Sequence, residues 1–194
     1  CGIENILVVN GYLNHMIEDK IGSRVRYRFY EKFKETNNLY TLHSVSDELD
    51  DDVVILFSDV LLSVKLLQKC IDSLEDYCLI VDKINVSDTT MFVSTDNGGI
   101  YDIGSHIALE EADGNFIGVA KFSKKGVSML AYKLEKMVQK GGHIQDYYTF
   151  ALIDIANEGN KVGYIEVEED LAWMEIDLKE EYEQALSQGI SVYY

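Results

Sequence analysis

Val53-Val54-Ile55-Leu56-Phe57 is the stretch on which the fold turns. Five consecutive apolar residues, rich in β-branched side chains and too short for a helix, read as a strand buried on both faces, as in a parallel sheet covered by helices. The run stops at Ser58-Asp59, so Asp59 falls just beyond the C-terminal end of the strand. Open α/β sheets bind their ligands at such ends.

Working outward, the same alternation recurs. Ile6-Leu7-Val8-Val9, closed by Asn10-Gly11, predicts an earlier buried strand, and Val25–Tyr30 a second one. Leu39, Leu42, Val45 and Leu49 stand at helical spacing behind the capping candidates Thr36, Asn37 and Asn38, predicting a helix over Leu39–Leu49. A helix over Val64–Leu74 and a strand over Cys78–Val81 follow. Strand and helix in turn predict an α/β fold with a mostly parallel central sheet, Ile6–Val9 and Val53–Phe57 inside it. Asp96-Asn97-Gly98-Gly99 between two short apolar runs interrupts this pattern with an antiparallel hairpin, because Asn-Gly supplies the positive φ angles of a tight turn. Later elements are a strand over Phe116–Phe122, helices over Gly126–Gln139 and Tyr147–Asn157, strands over Lys161–Val167 and Trp173–Ile176, and a closing helix over Glu180–Gln188.

With 194 residues and no internal repeat or linker, residues 1–194 are expected to form a single domain. A formal net charge of −17 argues against nucleic acid as a partner, since phosphate backbones need a basic face, and suits a divalent cation instead. No apolar run approaches the roughly 20 residues of a membrane span, and no secretory signal is visible, so the expected location is the cytoplasm, without membrane attachment. Cys1, Cys70 and Cys78 have no zinc-like spacing and read as reduced packing residues. The four histidines are scattered and suggest neither zinc nor a nucleophilic dyad.

Several segments, taken in order, resemble the nucleotidyltransferase family of the phosphocholine cytidylyltransferase and sugar nucleotidyltransferase type. Gly2-Ile3-Glu4-Asn5-Ile6-Leu7-Val8-Val9-Asn10-Gly11-Tyr12 is similar to its first strand and turn, and Tyr30-Glu31-Lys32-Phe33 with Thr36-Asn37-Asn38-Leu39-Tyr40-Thr41-Leu42 to the segment after it. Val54–Val60 resembles the strand that ends in a metal-binding aspartate. Asp113-Gly114-Asn115-Phe116-Ile117-Gly118-Val119-Ala120-Lys121-Phe122 and Trp173-Met174-Glu175-Ile176-Asp177 resemble two further family segments. The family opens with a glycine-rich loop of the form A-A-G-x-G-x-R-L, and nothing similar stands in this sequence. The resemblance therefore implies a GT-A-like nucleotidyltransferase fold that is N-terminally incomplete, and predicts that the chain alone binds nucleotide poorly and is inactive.

The resemblance implies Mg²⁺-dependent transfer of a cytidylyl group from CTP to a small phosphorylated alcohol or phosphonate such as phosphocholine, releasing pyrophosphate. A sugar-1-phosphate acceptor, and a non-catalytic binding or assembly module, stay open as alternatives; so does a homo-oligomer. Such chemistry is positioning plus stabilisation of negative charge, with carboxylates holding the ion. Asp59 and Asp177, each just after a strand, are the implied metal ligands and catalytic pair, while helix capping is the plainer alternative for both. Lys83, two residues past a strand, resembles a family lysine near phosphate; an ordinary loop lysine is as good a reading. Asn37 and Asn38 are candidates for base or ribose contact, or caps. Tyr147, Tyr148 and Trp173 are candidates to face a quaternary ammonium group, or simply pack. Asp50-Asp51-Asp52 precedes its strand and so belongs to the opposite sheet edge, as a solvated turn.

Overall fold

The computed structural model describes residues 1–86, 91–170 and 172–188. In chain order the elements are β1 (Leu7–Asn10), α1 (Asn14–Ile21), β2 (Arg26–Phe29), α2 (Asn38–His43), β3 (Val53–Leu56), β4 (Val60–Leu62), α3 (Val64–Ile71) and β5 (Tyr77–Asp82). They continue with β6 (Met91–Asp96), β7 (Gly99–Ile103), β8 (Gly114–Phe122), α4 (Lys124–Lys140), α5 (Thr149–Asn157), β9 (Gly163–Glu166), β10 (Trp173–Glu175) and α6 (Lys179–Gln188). No helix among the described residues is long and apolar enough to cross a membrane.

The molecule is α/β, with helices on a central six-stranded sheet: five strands in the order β7-β6-β8-β5-β9, and β3 paired with β8 off that path. Strand β5 lies along the whole of β8, from Tyr77 opposite Phe122 to Asp82 opposite Asn115. The other edge of β8 is shared: β3 takes residues 119–122 and β6 takes residues 114–116. Strand directions correct the expectation of a mostly parallel sheet. Strands β3, β5 and β6 all run antiparallel to β8, and among the described strands of this sheet only β5–β9 pairs parallel. The reason is β8, which enters between strands that share one direction and reverses every pairing it makes.

Every residue of β5 and β8 is buried, so each strand feeds two cores by alternation. Tyr77, Leu79, Val81, Phe116, Ala120 and Phe122 face the larger core, with Leu130 and Leu134 of α4 and Leu152 and Ile155 of α5. Cys78, Ile80, Ile117 and Val119 face the smaller one, with Leu66 and Cys70 of α3. Ser63 and Ser123 cap α3 and α4, accepting from the amides of Leu66 and Gly126. The hairpin forms as its residues predict, with Asn97 and Gly98 at φ 49° and 74°.

Two further expectations are corrected. Strand β1 pairs in parallel with β2 in a separate two-stranded sheet, not inside the central one. Leu56 is 47% exposed, because β3 pairs with β8 alone and its last residue lies at the sheet margin. Gly118 is decisive for what comes next. It sits at φ 80° where the β5–β8 register shifts, and a Cβ there would meet the Phe57 ring at 2.7 Å. Without a side chain at 118, Phe57 closes onto β8, its N–H donating to the Gly118 carbonyl at 2.9 Å. That contact fixes where the chain leaves β3 toward Asp59.

Candidate active site

Asp59 occupies the turn between β3 and β4. Strand β4 pairs antiparallel with β10, Val60 opposite Glu175 and Leu62 opposite Trp173. The ladder continues as the Ile176 N–H donates to the Asp59 carbonyl at 2.8 Å. This ribbon brings two distant parts of the sequence together: Asp59, Glu175 and Asp177 each offer a carboxylate oxygen, all within 4.8 Å of one another. Glu175 and Asp177, two residues apart at the end of a strand, project to the same side.

The electrostatics of the group are those of clustered negative charge. Asp59 Oδ1 is buried and has no hydrogen-bond partner among the described residues. Glu175 is pushed up to about 7, first by burial and then by the charges of Asp177, Asp59 and Glu181. Helix capping falls to other side chains. Ser63 caps α3, and the Glu181 carboxylate accepts the N–H groups of Asp177 and Leu178, both at 2.7 Å, at the start of α6. A buried carboxylate oxygen with no donor, in a set of three hard oxygen ligands, fits a divalent cation such as Mg²⁺ or Mn²⁺.

Beside this group, Trp173 donates its indole N–H to Asp82 Oδ2 at 2.7 Å. Asp82 is fully buried at the end of β5, and its carboxylate also accepts from the Ile84 and Asn85 amides and the Asn85 side chain. Burial alone would raise its pKa, but the donors from Asn85, Trp173 and Ile84 hold it below the usual carboxylate range. Next to it, Lys83 Nζ donates to the Tyr164 hydroxyl at 2.9 Å, lies 3.1 Å from a Glu166 carboxylate oxygen, and sits 4.4 Å from the Tyr164 ring centroid. Burial would depress this ammonium, yet Tyr164 and Glu166 leave it raised.

The remaining candidates form a second group. Asn37 accepts from the Asn38 amide at the start of α2, and Asn38 Oδ1 accepts from the Tyr148 amide at 2.8 Å. Main-chain bonds from Asn37 to Ile144 and from Leu39 to Asp146 complete a latch between this segment and the loop before α5. Tyr147 is 38% exposed beside it. Tyr148 requires a correction: only 1% exposed, its ring meets Phe57 and Phe122 edge-on in the core, so it offers no face to a ligand. Asp52 accepts the Lys124 amide at the start of α4, away from the cluster.

Sequence reasoning missed Glu175. The signal was present in Glu175-Ile176-Asp177, since acidic residues two apart at a strand end share one side.

Sheet order, ribbon and carboxylate cluster together define a mixed α/β fold with an acidic site at the end of β3. No protein-family model matches the chain. Solved structures nevertheless superimpose over nearly its whole length. The CTP:phosphocholine cytidylyltransferase of Streptococcus pneumoniae matches with a TM-score of 0.76 at 21% identity, covering 96% of this chain and 79% of that one. The inositol-1-phosphate CTP transferase of T. maritima matches with a TM-score of 0.74 at 18% identity, covering 99% and 78%. The chain shares the fold of these two transferases. In sequence it is 24% identical over 206 residues to the CTP:phosphoglutamine cytidylyltransferase of Campylobacter jejuni, spanning 94% of this chain and 81% of that relative.

Proposed function

We propose that this protein is a Mg²⁺-dependent cytidylyltransferase that joins the CMP moiety of CTP to a small phosphorylated acceptor and releases pyrophosphate. Both solved relatives and the curated one carry CTP-dependent transfer to a phosphorylated acceptor in their names. The observation that carries the reading onto this chain is the Asp59, Glu175 and Asp177 cluster, with a buried oxygen that no described residue partners.

In the reaction an acceptor phosphate oxygen forms a bond to the α-phosphorus of CTP as the bond to the β-phosphate oxygen breaks. An ion bound at the cluster would supply neutralisation of the charge that gathers on the phosphoryl oxygens. Asp59, Glu175 and Asp177 would hold it, with Glu175 in its ionised form. Lys83 is the cation assigned to acceptor phosphate, exchanging Glu166 for the ligand while Tyr164 keeps the ammonium in place. Asn37, Asn38 and Tyr147 are assigned to the outer wall of the substrate site.

The test is the complete natural protein, with any residues encoded before Cys1, given CTP, Mg²⁺ and separate acceptors: a phosphorylated alcohol, a phosphonate and a sugar 1-phosphate. Product is followed by ³¹P NMR and pyrophosphate release. Asp59→Asn and Asp177→Asn should each lower turnover by about 10² or more, as for loss of a principal charge-stabilising group. The double variant should be little worse than either, the three groups acting as a unit. Turnover that survives both substitutions would remove the cluster from the mechanism. Absence of product with every acceptor would refute the activity.

A further inference from the structure

The geometry points to Asp82 and Trp173 as positioning residues: the buried Asp82 carboxylate, through the Trp173 indole, fixes β10 so that Glu175 and Asp177 meet Asp59. The inference rests on the metal-site reading above and adds to it the groups that hold the site in shape. Strand β10 is only three residues long and its ladder partner is β4, itself three residues. Such a ribbon is marginal by itself. Asp82, in contrast, ends a strand paired on both sides, with β8 and β9, and is fully buried. The 2.7 Å indole bond therefore ties a weak element to a rigid one. Trp173 and Glu175 lie on the same face of β10, so a displaced ring carries the Glu175 carboxylate with it. Trp173 also packs against the smaller core, which leaves the N–H as the part of the ring that sets its orientation.

The chain's single tryptophan makes this measurable without turnover. Indole excitation should sensitise Tb³⁺ bound at the cluster, and Mg²⁺ should displace it. Wild type and Asp82→Asn are titrated in this way. Trp173→Phe keeps an aromatic ring but has no N–H, and its affinity for Mn²⁺ is read from the EPR signal of the free ion, beside wild type and Asp59→Asn. Loss of an outer partner of a metal site weakens binding about 10-fold or more. Trp173→Phe and Asp82→Asn should each show that loss, and the Mg²⁺ concentration for half-maximal activity should rise equally while kcat at saturating Mg²⁺ recovers. A purely structural role would lower the melting temperature without shifting the metal affinity of the folded protein. Either variant suffices if the other does not fold. Unchanged Mn²⁺ affinity in Trp173→Phe, with affinity lost in Asp59→Asn, overturns the positioning role alone. Unchanged affinity in Asp59→Asn as well would show that the cluster is not the metal site.

Discussion

Asp59→Asn should raise the stability of the metal-free protein and abolish its stabilisation by Mg²⁺. The oxygens of Asp59, Glu175 and Asp177 lie within 4.8 Å of one another. At pH 8, above the value of about 7 for Glu175, that carboxylate carries its charge. Two unit charges at that distance repel by about 1 kcal/mol even in a water-like dielectric, the fitting choice because Asp177 is exposed. Asp59→Asn removes two such repulsions, about 2 kcal/mol, and loses little in return, since Asp59 Oδ1 has no partner among the described residues. For a chain of this size that corresponds to a rise in Tm of about 4–8 °C. In wild type, a cation at 100 times its Kd would add about 2.7 kcal/mol. Thermal melts followed by circular dichroism at low salt, with EDTA and with Mg²⁺, should therefore show opposite orders: the variant higher without metal, wild type gaining and the variant not gaining with it. A variant that melts below wild type in EDTA, or that gains as much from Mg²⁺, would refute the reasoning.

The raised Glu175 pKa also sets a pH window. From 4.5 to about 7 the folded state holds a proton that the unfolded state has released, so metal-free stability should fall as pH rises through that range. Metal affinity should rise over the same range, by up to about tenfold per pH unit, and then level off, because the ion displaces that proton; isothermal calorimetry across the window checks both the slope and the proton release. Elsewhere, Gly126→Ala should destabilise by about 2 kcal/mol or more in urea unfolding, since its Cβ would lie 2.2 Å from the Asp76 carbonyl oxygen and backbone must move. A neutral result there would mean that α4 can shift against β5 at little cost.

Much of this architecture is legible in the sequence because burial leaves a pattern. The β3 run and the 3.6-residue spacing of Val127, Leu130, Leu134 and Met137 in α4 reflect area removed from water, and both elements form where that pattern stands. Direction leaves none. A strand buried on both faces is apolar throughout whichever way it runs, so the reversal of β8 could not be read from Phe116–Phe122. Tyr148 misled because an aromatic ring suits a core and a ligand face equally. Asp59 and Asp177 could be singled out as following apolar runs, whereas Glu175 closes a strand of three residues, too short for periodicity to establish. What joins these three is a pairing between segments far apart in the chain, and sequence periodicity reports only neighbours.

The β4–β10 ribbon also gives the site a place in time. As the chain leaves the ribosome, the strands of the central sheet through β9 are all made before the first residue of β10, so both hydrophobic cores have nearly all their members while Asp59 still lacks its partners. The N-terminal segments fold first during synthesis. On the proposed reading, the ion site is thereby the last part of the molecule to be completed, once Trp173–Asp177 has left the ribosome.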